Sequence, residues 1–361
     1  MKKIIVVGGM QDGGGVSLFI LRTYERMMRN HEIELVLFTQ SDYDDYSERI
    51  KENGWGQEFI PSLKKNPIKN IITWIKLMKK YSEFNFIHFN LNNAIYWFPI
   101  LLSKIARKNV IIQSHTSNLM GDSKVKKVLH RIGKNVISKL ATRTVAVSDL
   151  AYEFMFKSGN KIIIPVGINT TDFKFSSTIR KHLRETLSLE GKTVIGHVGG
   201  FTPVKNHEFI IKLMNELVNI NKDYHLILIG AGKTLDKISN MIKEYNLEDS
   251  VSILGFKRNV ADYYNMMDIF IYPSFYEGFP TAVVEAQTNG LPVIMSNTID
   301  KKAIINKNLT CQEDIQFTEK WVSDLRNIKL NTANRENSNL LISGHDIGVI
   351  ADKLYRLFEV K

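Results

Sequence analysis

The chain has 361 residues, 44% of them hydrophobic and 24% charged, with a formal net charge of +11. That length exceeds what one hydrophobic core usually serves and is read as two domains of about 100–200 residues; the composition is that of an ordinary globular protein, which excludes a disordered or fibrous chain. The single cysteine, Cys311, excludes an internal disulfide framework and is read as a sign of a reducing, cytoplasmic compartment.

In chain order, the opening "MKKIIVVGGMQDGGG" has too short an apolar stretch for a signal peptide and is read as a first buried strand. That strand is placed at Lys3–Val7, and further ones are expected at Ile33–Phe38, Phe86–Phe89, Val110–Gln113, Thr144–Ala146 and Lys161–Ile164. A second set is expected at Thr193–Val198, His225–Ile229, Val251–Leu254, Ile269–Pro273 and Pro292–Met295. Helical patterns alternate with these runs, the signature of parallel α/β sheets. The polar stretch 165–192 separates the two sets and holds the expected domain boundary; a last helix is expected from about Gly348 to Val360. The longest apolar run elsewhere, "AIYWFPILL" at 94–102, falls well short of the roughly 20 residues of a spanning helix.

The positive charge is concentrated in "SLKKNPIKNIITWIKLMKKY" (62–81) and "SKVKKVLHRIGKNVISK" (123–139). Ile68, Ile71, Ile72, Ile75 and Met78 recur at roughly helical spacing in one, and Val125, Val128, Leu129, Ile132 and Val136 in the other. The first reading is two core-packed helices with solvated basic faces. The alternative is a cationic surface resting on anionic lipid headgroups. Nucleic acid is not supported, since no recognition motif accompanies the charge.

Two parallel α/β domains in tandem bind ligands at the C-terminal ends of their strands, in a cleft, so chemistry is sought just after strands. Three Gly-containing turns stand there: the opening segment, "IGHVGGFTPVKNHEF" with Gly199, Gly200 and Lys205, and "LILIGAGKTLDKI" with Gly230. Backbone amides at helix N-termini with a lysine nearby suit a diphosphate. In "SFYEGFPTAVVEAQTNGLPVI" (274–294), Glu277 lies in a tight loop and Glu285 about one turn into the helix that Pro280 and Thr281 introduce. A carboxylate there complements the helix dipole, a purely structural role; alternatively it accepts from the hydroxyls of a ribose.

"EGFPTAVVEAQTNGLPVI" resembles the E-x7-E signature of family-4 glycosyltransferases, retaining enzymes of the GT-B fold. "GHVGGFTPVKNHEFI" is similar to their G-R-F-x-x-x-K-N-H loop. "SILGFKRNVADYYNMMDIFIYPS", "VVGGMQDGGG", "FNFIHFN", "IIQSHTSN", "TVAVSDLAYEFMF" and "PVGINTTDFKF" resemble the capsule and exopolysaccharide branch, in order, over nearly the whole chain. The resemblance implies two Rossmann-like parallel-sheet domains facing a cleft. Residues 1–168 would form an acceptor domain, 169–344 a nucleotide-sugar donor domain, and 345–361 a helix crossing back to the first.

It further implies that Glu285 binds the donor ribose and Glu277 the donor sugar. Gly278, Phe279, Thr281 and Ala282 would line sugar and phosphate, and Lys205 would neutralise the leaving diphosphate. His115 would face the sugar near the reacting carbon, and Gly13, Gly14 and Gly15 would line the site. Gly200, Gly230, Phe256 and Arg258 fall at further donor-binding positions. The implied activity is retaining, metal-independent transfer from a nucleotide donor, UDP-linked, to a lipid-linked surface polysaccharide by a protein peripheral to the inner membrane face. No cofactor is expected.

Two positions depart from the family pattern. The arginine five residues before the lysine is Gly200 here, and a common glutamate of the glycine loop is Val16. Lys233, Lys257 or Arg258 could substitute for the missing cation. The departures keep open a nucleotide-sugar-binding pseudoenzyme; a sugar-nucleotide epimerase of the same fold is a separate alternative, and a nicotinamide oxidoreductase a distant one. Four signals are set aside. "DYD" at Asp42–Asp44 is read as a solvated loop, His88 with His115 lacks the spacing of a zinc site, His197 inside a strand is read as packed, and His207 is given no role.

Overall fold

A computed structural model describes residues 1–10, 15–40, 45–119, 123–307, 309–330, 335 and 344–359. Gly13, Gly14, Asp42–Asp44 and most of the polar stretch before the last helix lie outside the described residues. The chain divides into two units, Met1–Gly167 with Gly344–Lys361, and Ile168–Ser343.

The first unit is built on a seven-stranded sheet: β1 (Lys2–Gly8), β2 (Ile33–Thr39), β3 (Gly56–Phe59), β4 (Phe86–Leu91), β5 (Asn109–Ser114), β6 (Arg143–Ala146) and β7 (Lys161–Ile163). They lie in the order β3-β2-β1-β4-β5-β6-β7, every pairing parallel. Ile4, Ile5, Val6 and Val7 are all fully buried, because helices cover both faces of a parallel sheet and its inner strands are apolar without alternation. The helix Ile347–Tyr355 belongs to this unit. It packs on the helix Gly15–Asn30, with the rings of His31 and Tyr355 stacked at 3.6 Å and His31 Nε2 3.0 Å from Asp352 Oδ1.

The second unit has six strands, β8 (Thr193–Val198), β9 (Tyr224–Ile229), β10 (Val251–Gly255), β11 (Ile269–Tyr272), β12 (Val293–Ser296) and β13 (Thr310–Glu313). Their order is β10-β9-β8-β11-β12-β13, again all parallel. Strand order reverses direction between β1 and β4 in one sheet and between β8 and β11 in the other. Such switch points are where open parallel sheets part their connecting loops and admit a ligand.

β3 and β13 are strands that the sequence pattern does not announce. Their sequences, GQEF and TCQE, sit at sheet edges and are nowhere fully buried. An edge strand with one covered face needs no apolar run to pair.

The two basic helices differ from the first reading of the sequence. In Pro67–Lys80 the buried residues are Asn70, Trp74, Leu77 and Met78, while Ile68, Ile71, Ile72 and Ile75 are exposed. In Lys124–Leu140 the buried residues are His130, Gly133 and Ile137, while Val125, Val128, Leu129 and Ile132 are exposed. The core-packed reading is therefore wrong for these eight residues. Both helices are apolar on more than one side, and the side that packs is chosen by fit. Gly133 lets its helix approach so closely that an added Cβ would lie 1.8 Å from the Ala94 carbonyl oxygen.

Candidate active site

In the second unit, the connection after β8 makes a short 3-10 turn, Pro203–Lys205, closed by Asn206 in the left-handed region at φ +55°. The helix His207–Ile220 follows directly. This turn is stitched to the loop after β11: Phe275 N donates to the Val204 carbonyl at 2.9 Å, and Asn206 Nδ2 to the Pro273 carbonyl at 3.3 Å. The stitching brings together two groups 72 residues apart, Lys205 Nζ donating to Glu277 Oε1 at 2.5 Å. Lys205 also donates to the Tyr272 hydroxyl.

The electrostatics follow from that contact. Burial works to lower the Lys205 pKa, but the Glu277 carboxylate and then Tyr272 outweigh it and hold the ammonium above the ordinary lysine range. Burial and the Glu277 charge push the Tyr272 phenol up in turn, so it stays a neutral hydroxyl. Behind Lys205 stand two buried histidines, with ring centroids 4.9 Å apart and planes at 85°. Burial, then the Lys205 charge, takes His207 down to about 4. Burial and the neighbouring His207 push His197 well down. Both are neutral packing elements: His207 stacks on Phe201 at 4.2 Å, and His197 Nδ1 meets the Ile271 carbonyl at 3.0 Å.

Glu285 is buried within the helix Thr281–Thr288, which starts after Pro280 and ends before Gly290 at φ +79°. Its Oε2 accepts from the Tyr264 hydroxyl at 2.9 Å. Gly278 and Phe279 are buried in the turn before this helix. The Thr281 amide donates to the Phe279 carbonyl at 3.0 Å, so Thr281 cannot offer that donor elsewhere without breaking the turn.

The predicted glycines separate into two kinds. At Gly230, φ is +150° and an added Cβ would lie 2.0 Å from the Gly199 carbonyl oxygen. Close packing of the loop after β9 on the loop after β8 accounts for that glycine. At Gly200 an added Cβ would meet only the Ala231 oxygen at 3.5 Å and Thr202 Cγ2 at 3.9 Å, ordinary contacts. Phe256 and Arg258 are exposed beyond β10.

In the first unit, His115 follows β5, and its Nε2 lies 2.9 Å from Asn90 Oδ1. Gly15 begins the helix after β1. Sequence reasoning missed Tyr272, Tyr264 and Asn90. Tyr272 carried a signal, being the last residue of the strand that delivers Glu277; Asn90 is the last but one residue of β4, two positions after His88. Among the described residues, no group of three or more His, Cys, Asp or Glu is placed to hold a metal ion.

Residues 178–311 match the family model described as "Glycosyl transferases group 1". The matched stretch lies within the second unit. EpsF of Bacillus subtilis (strain 168) is 26% identical over 310 residues, covering 83% of this chain and 80% of EpsF. An Escherichia coli protein, UDP-Gal:alpha-D-GlcNAc-diphosphoundecaprenol alpha-1,3-galactosyltransferase, is 24% identical over 95% of this chain and 93% of its own length. The crystal structure of Anabaena Alr3699/HepE in complex with UDP-glucose superposes with a TM-score of 0.81 at 17% identity, covering 99% of each chain. The fold is that of GT-B glycosyltransferases, two parallel-sheet α/β domains.

Proposed function

We propose that this protein is a retaining, metal-independent glycosyltransferase that moves a sugar from a UDP-linked donor to a growing, lipid-linked surface polysaccharide. The observation that carries this reading is the Lys205–Glu277 contact at the β8/β11 switch point, with Glu285 buried in the helix that follows. Breaking the bond between sugar and diphosphate sends its electron pair to the diphosphate. Lys205 is the cation that stabilises the charge left there. Glu277 accepts from donor-sugar hydroxyls, and Glu285 from the ribose. The acceptor hydroxyl oxygen attacks the anomeric carbon from the face the diphosphate leaves, and its proton passes to the departing diphosphate oxygen.

UDP as the nucleotide is favoured by the UDP-glucose that HepE binds and by the UDP-Gal of the E. coli relative's name. That relative's diphosphoundecaprenol acceptor favours a lipid-linked one here. Among the described residues no helix is long and apolar enough to cross a membrane. The exposed Ile68, Ile71, Ile72 and Ile75, with Val125, Val128, Leu129 and Ile132, supply an apolar surface on two helices that carry lysines and no acid. An anionic bilayer surface fits that chemistry.

The test is UDP release from a panel of UDP-sugars with and without membrane extract. Acceptor-dependent release supports the reading. UDP-sugar binding without turnover, restored by Gly200→Arg, selects the pseudoenzyme instead, and Gly200 is the observation that keeps it alive. Sedimentation with anionic but not neutral liposomes, reversed by salt, is expected; no sedimentation at low salt removes the membrane part alone.

A further inference from the structure

The polar cluster around His115 defines a proton position that the sequence could not. Asn90, the last but one residue of β4, is 6% exposed. Its Nδ2 donates to the Val7 carbonyl of β1 at 3.3 Å. A carbonyl oxygen only accepts, so this contact fixes which end of the amide is nitrogen; the flipped amide would set two oxygens against each other. The other end, Oδ1, then faces His115 Nε2 at 2.9 Å, and it too only accepts. His115 Nε2 must therefore carry a hydrogen.

Burial, and then the neighbouring His88, pushes the His115 pKa down to about 3. At neutral pH the ring holds one proton, and Nε2 has it. Nδ1 is left as a bare lone pair. Among the described residues none is hydrogen-bonded to Nδ1, while Phe19 meets the ring edge-on at a centroid distance of 4.8 Å and limits its tilt.

Among the described residues, the groups around the two rings add no charge to upset this. His88, from β4, is itself pushed to about 3 by burial, and its Nδ1 is taken by the Tyr24 hydroxyl at 2.7 Å. Burial raises Tyr24 well above the ordinary phenol, so it stays neutral. Gln113 of β5 is uncharged and donates to the Ile164 carbonyl at 3.3 Å.

We propose that Asn90 is a positioning residue that locks His115 in the Nε2–H tautomer, so that His115 offers its Nδ1 as a hydrogen-bond acceptor to a hydroxyl of the sugar substrate. The identity of that ligand rests on the glycosyl-transfer reading; the tautomer does not. A histidine so fixed neither supplies a proton to a leaving group nor stabilises an anion. It selects a hydroxyl, which can donate, over a fluorine in the same place, which cannot.

The tautomer is read directly in the full-length protein by nitrogen NMR with ¹⁵N-labelled histidine, assigning His115 by the signals lost in His115→Gln. The expected result, from pH 5 to 8, is a protonated Nε2 and an unprotonated Nδ1 that do not titrate. A proton on Nδ1, or a titration inside that range, overturns the proposal, and this holds even if no UDP-sugar is turned over. In the kinetic arm, Asn90→Asp places a carboxylate against Nε2–H and stabilises the imidazolium. His115 should then titrate between pH 5 and 8, and kcat/KM should acquire an acid limb of at least about tenfold, one pKa unit's worth of differential interaction. A pH profile for Asn90→Asp identical to the parent's overturns the positioning role. Absence of any turnover by the parent would instead sink the glycosyl-transfer reading and leave the NMR result to judge the tautomer.

Discussion

The switch points of the two sheets meet the same physical problem with opposite outcomes. Between β1 and β4, burial acts on His88 and His115 with no counter-charge among the described residues, and both rings are driven to about 3 and stay neutral. Between β8 and β11, burial acts on Lys205 in the same direction, yet Glu277 and Tyr272 reverse it. The difference is the partner, not the depth: a base kept from water is discharged unless an anion is placed against it. The first site is thus a neutral, hydrogen-bonding surface. The second holds a cation whose charge is conditional on a single carboxylate.

The sharpest way to break that contrast is to remove the carboxylate. Glu277→Ala leaves Lys205 sequestered beside only a phenol, and its pKa should fall. Stability should drop by about 3 kcal/mol, the cost of leaving one member of a buried pair alone. Lys205→Met should cost a similar amount and lower turnover about 100- to 1,000-fold, as loss of a donor to developing negative charge does. UDP should still bind Glu277→Ala. Replacing both, Lys205→Met with Glu277→Leu, should recover most of the stability and none of the turnover. Urea titration and UDP release together decide it; a Glu277→Ala protein as stable and active as the parent removes the pairing from the mechanism.

A second test extends the neutral side of the comparison to the histidine behind Lys205. His207 is held down to about 4 in the folded state against 6.5 for an ordinary histidine. Its folded pKa lies below the unfolded one, so the unfolded chain binds the extra proton first. Stability is therefore full above 6.5, falls as pH drops below 6.5, and stops falling from this source below about 4. The slope contributed is at most about 1.4 kcal/mol per pH unit. His207→Phe should flatten the urea midpoint's acid decline by that share, and an unchanged decline would place the titrating group elsewhere. Lys205 acts at the other end of the scale. Its folded pKa is raised, so its contribution is complete below 10.5 and is lost only as pH rises beyond it.

Glu285 offers a milder perturbation. Glu285→Gln keeps the size of the side chain and a partner for Tyr264, so stability should change little. UDP affinity should weaken about tenfold, the loss of a charge-assisted bond of about 1.4 kcal/mol. Calorimetric titration with UDP alone reads this, since ribose contacts belong to the free nucleotide; unaltered affinity would return Glu285 to a purely structural role.

How much of this was legible in the sequence depends on whether a feature is local. Runs such as "IIVV" and "LILI" announce inner parallel strands because both faces are buried. GQEF and TCQE do not, because an edge is held by its neighbour's backbone rather than by its own apolar content. Ile68 and Val125 misled because helical spacing identifies a face without saying which face finds a partner. Lys205 and Glu277 could be singled out from their motifs, but that they neutralise one another is a contact across 72 residues, which no local pattern encodes. Asn90 was silent for the same reason, its meaning lying in Val7 and His115, on two other strands.

The smallest expected effect separates the two kinds of glycine around Lys205. Gly230→Ala would force a Cβ to 2.0 Å from a backbone oxygen at φ +150° and should not fold well. Gly200→Arg meets no such obstacle: nothing lies closer to its Cβ than 3.5 Å, and its φ is not in the left-handed region. Stability should stay within about 0.5 kcal/mol of the parent, as for substitutions that touch no special feature. The added guanidinium bears on the conditional charge directly, because with a second cation present Glu277 no longer neutralises the whole positive charge of the site. UDP affinity should rise by at least about tenfold, some 1.4 kcal/mol, and the gain should shrink with added salt. A Gly200→Arg protein that folds normally but leaves UDP affinity and its salt dependence untouched would show that the diphosphate does not approach this loop, and would make Lys205 a structural cation held by Glu277 and Tyr272.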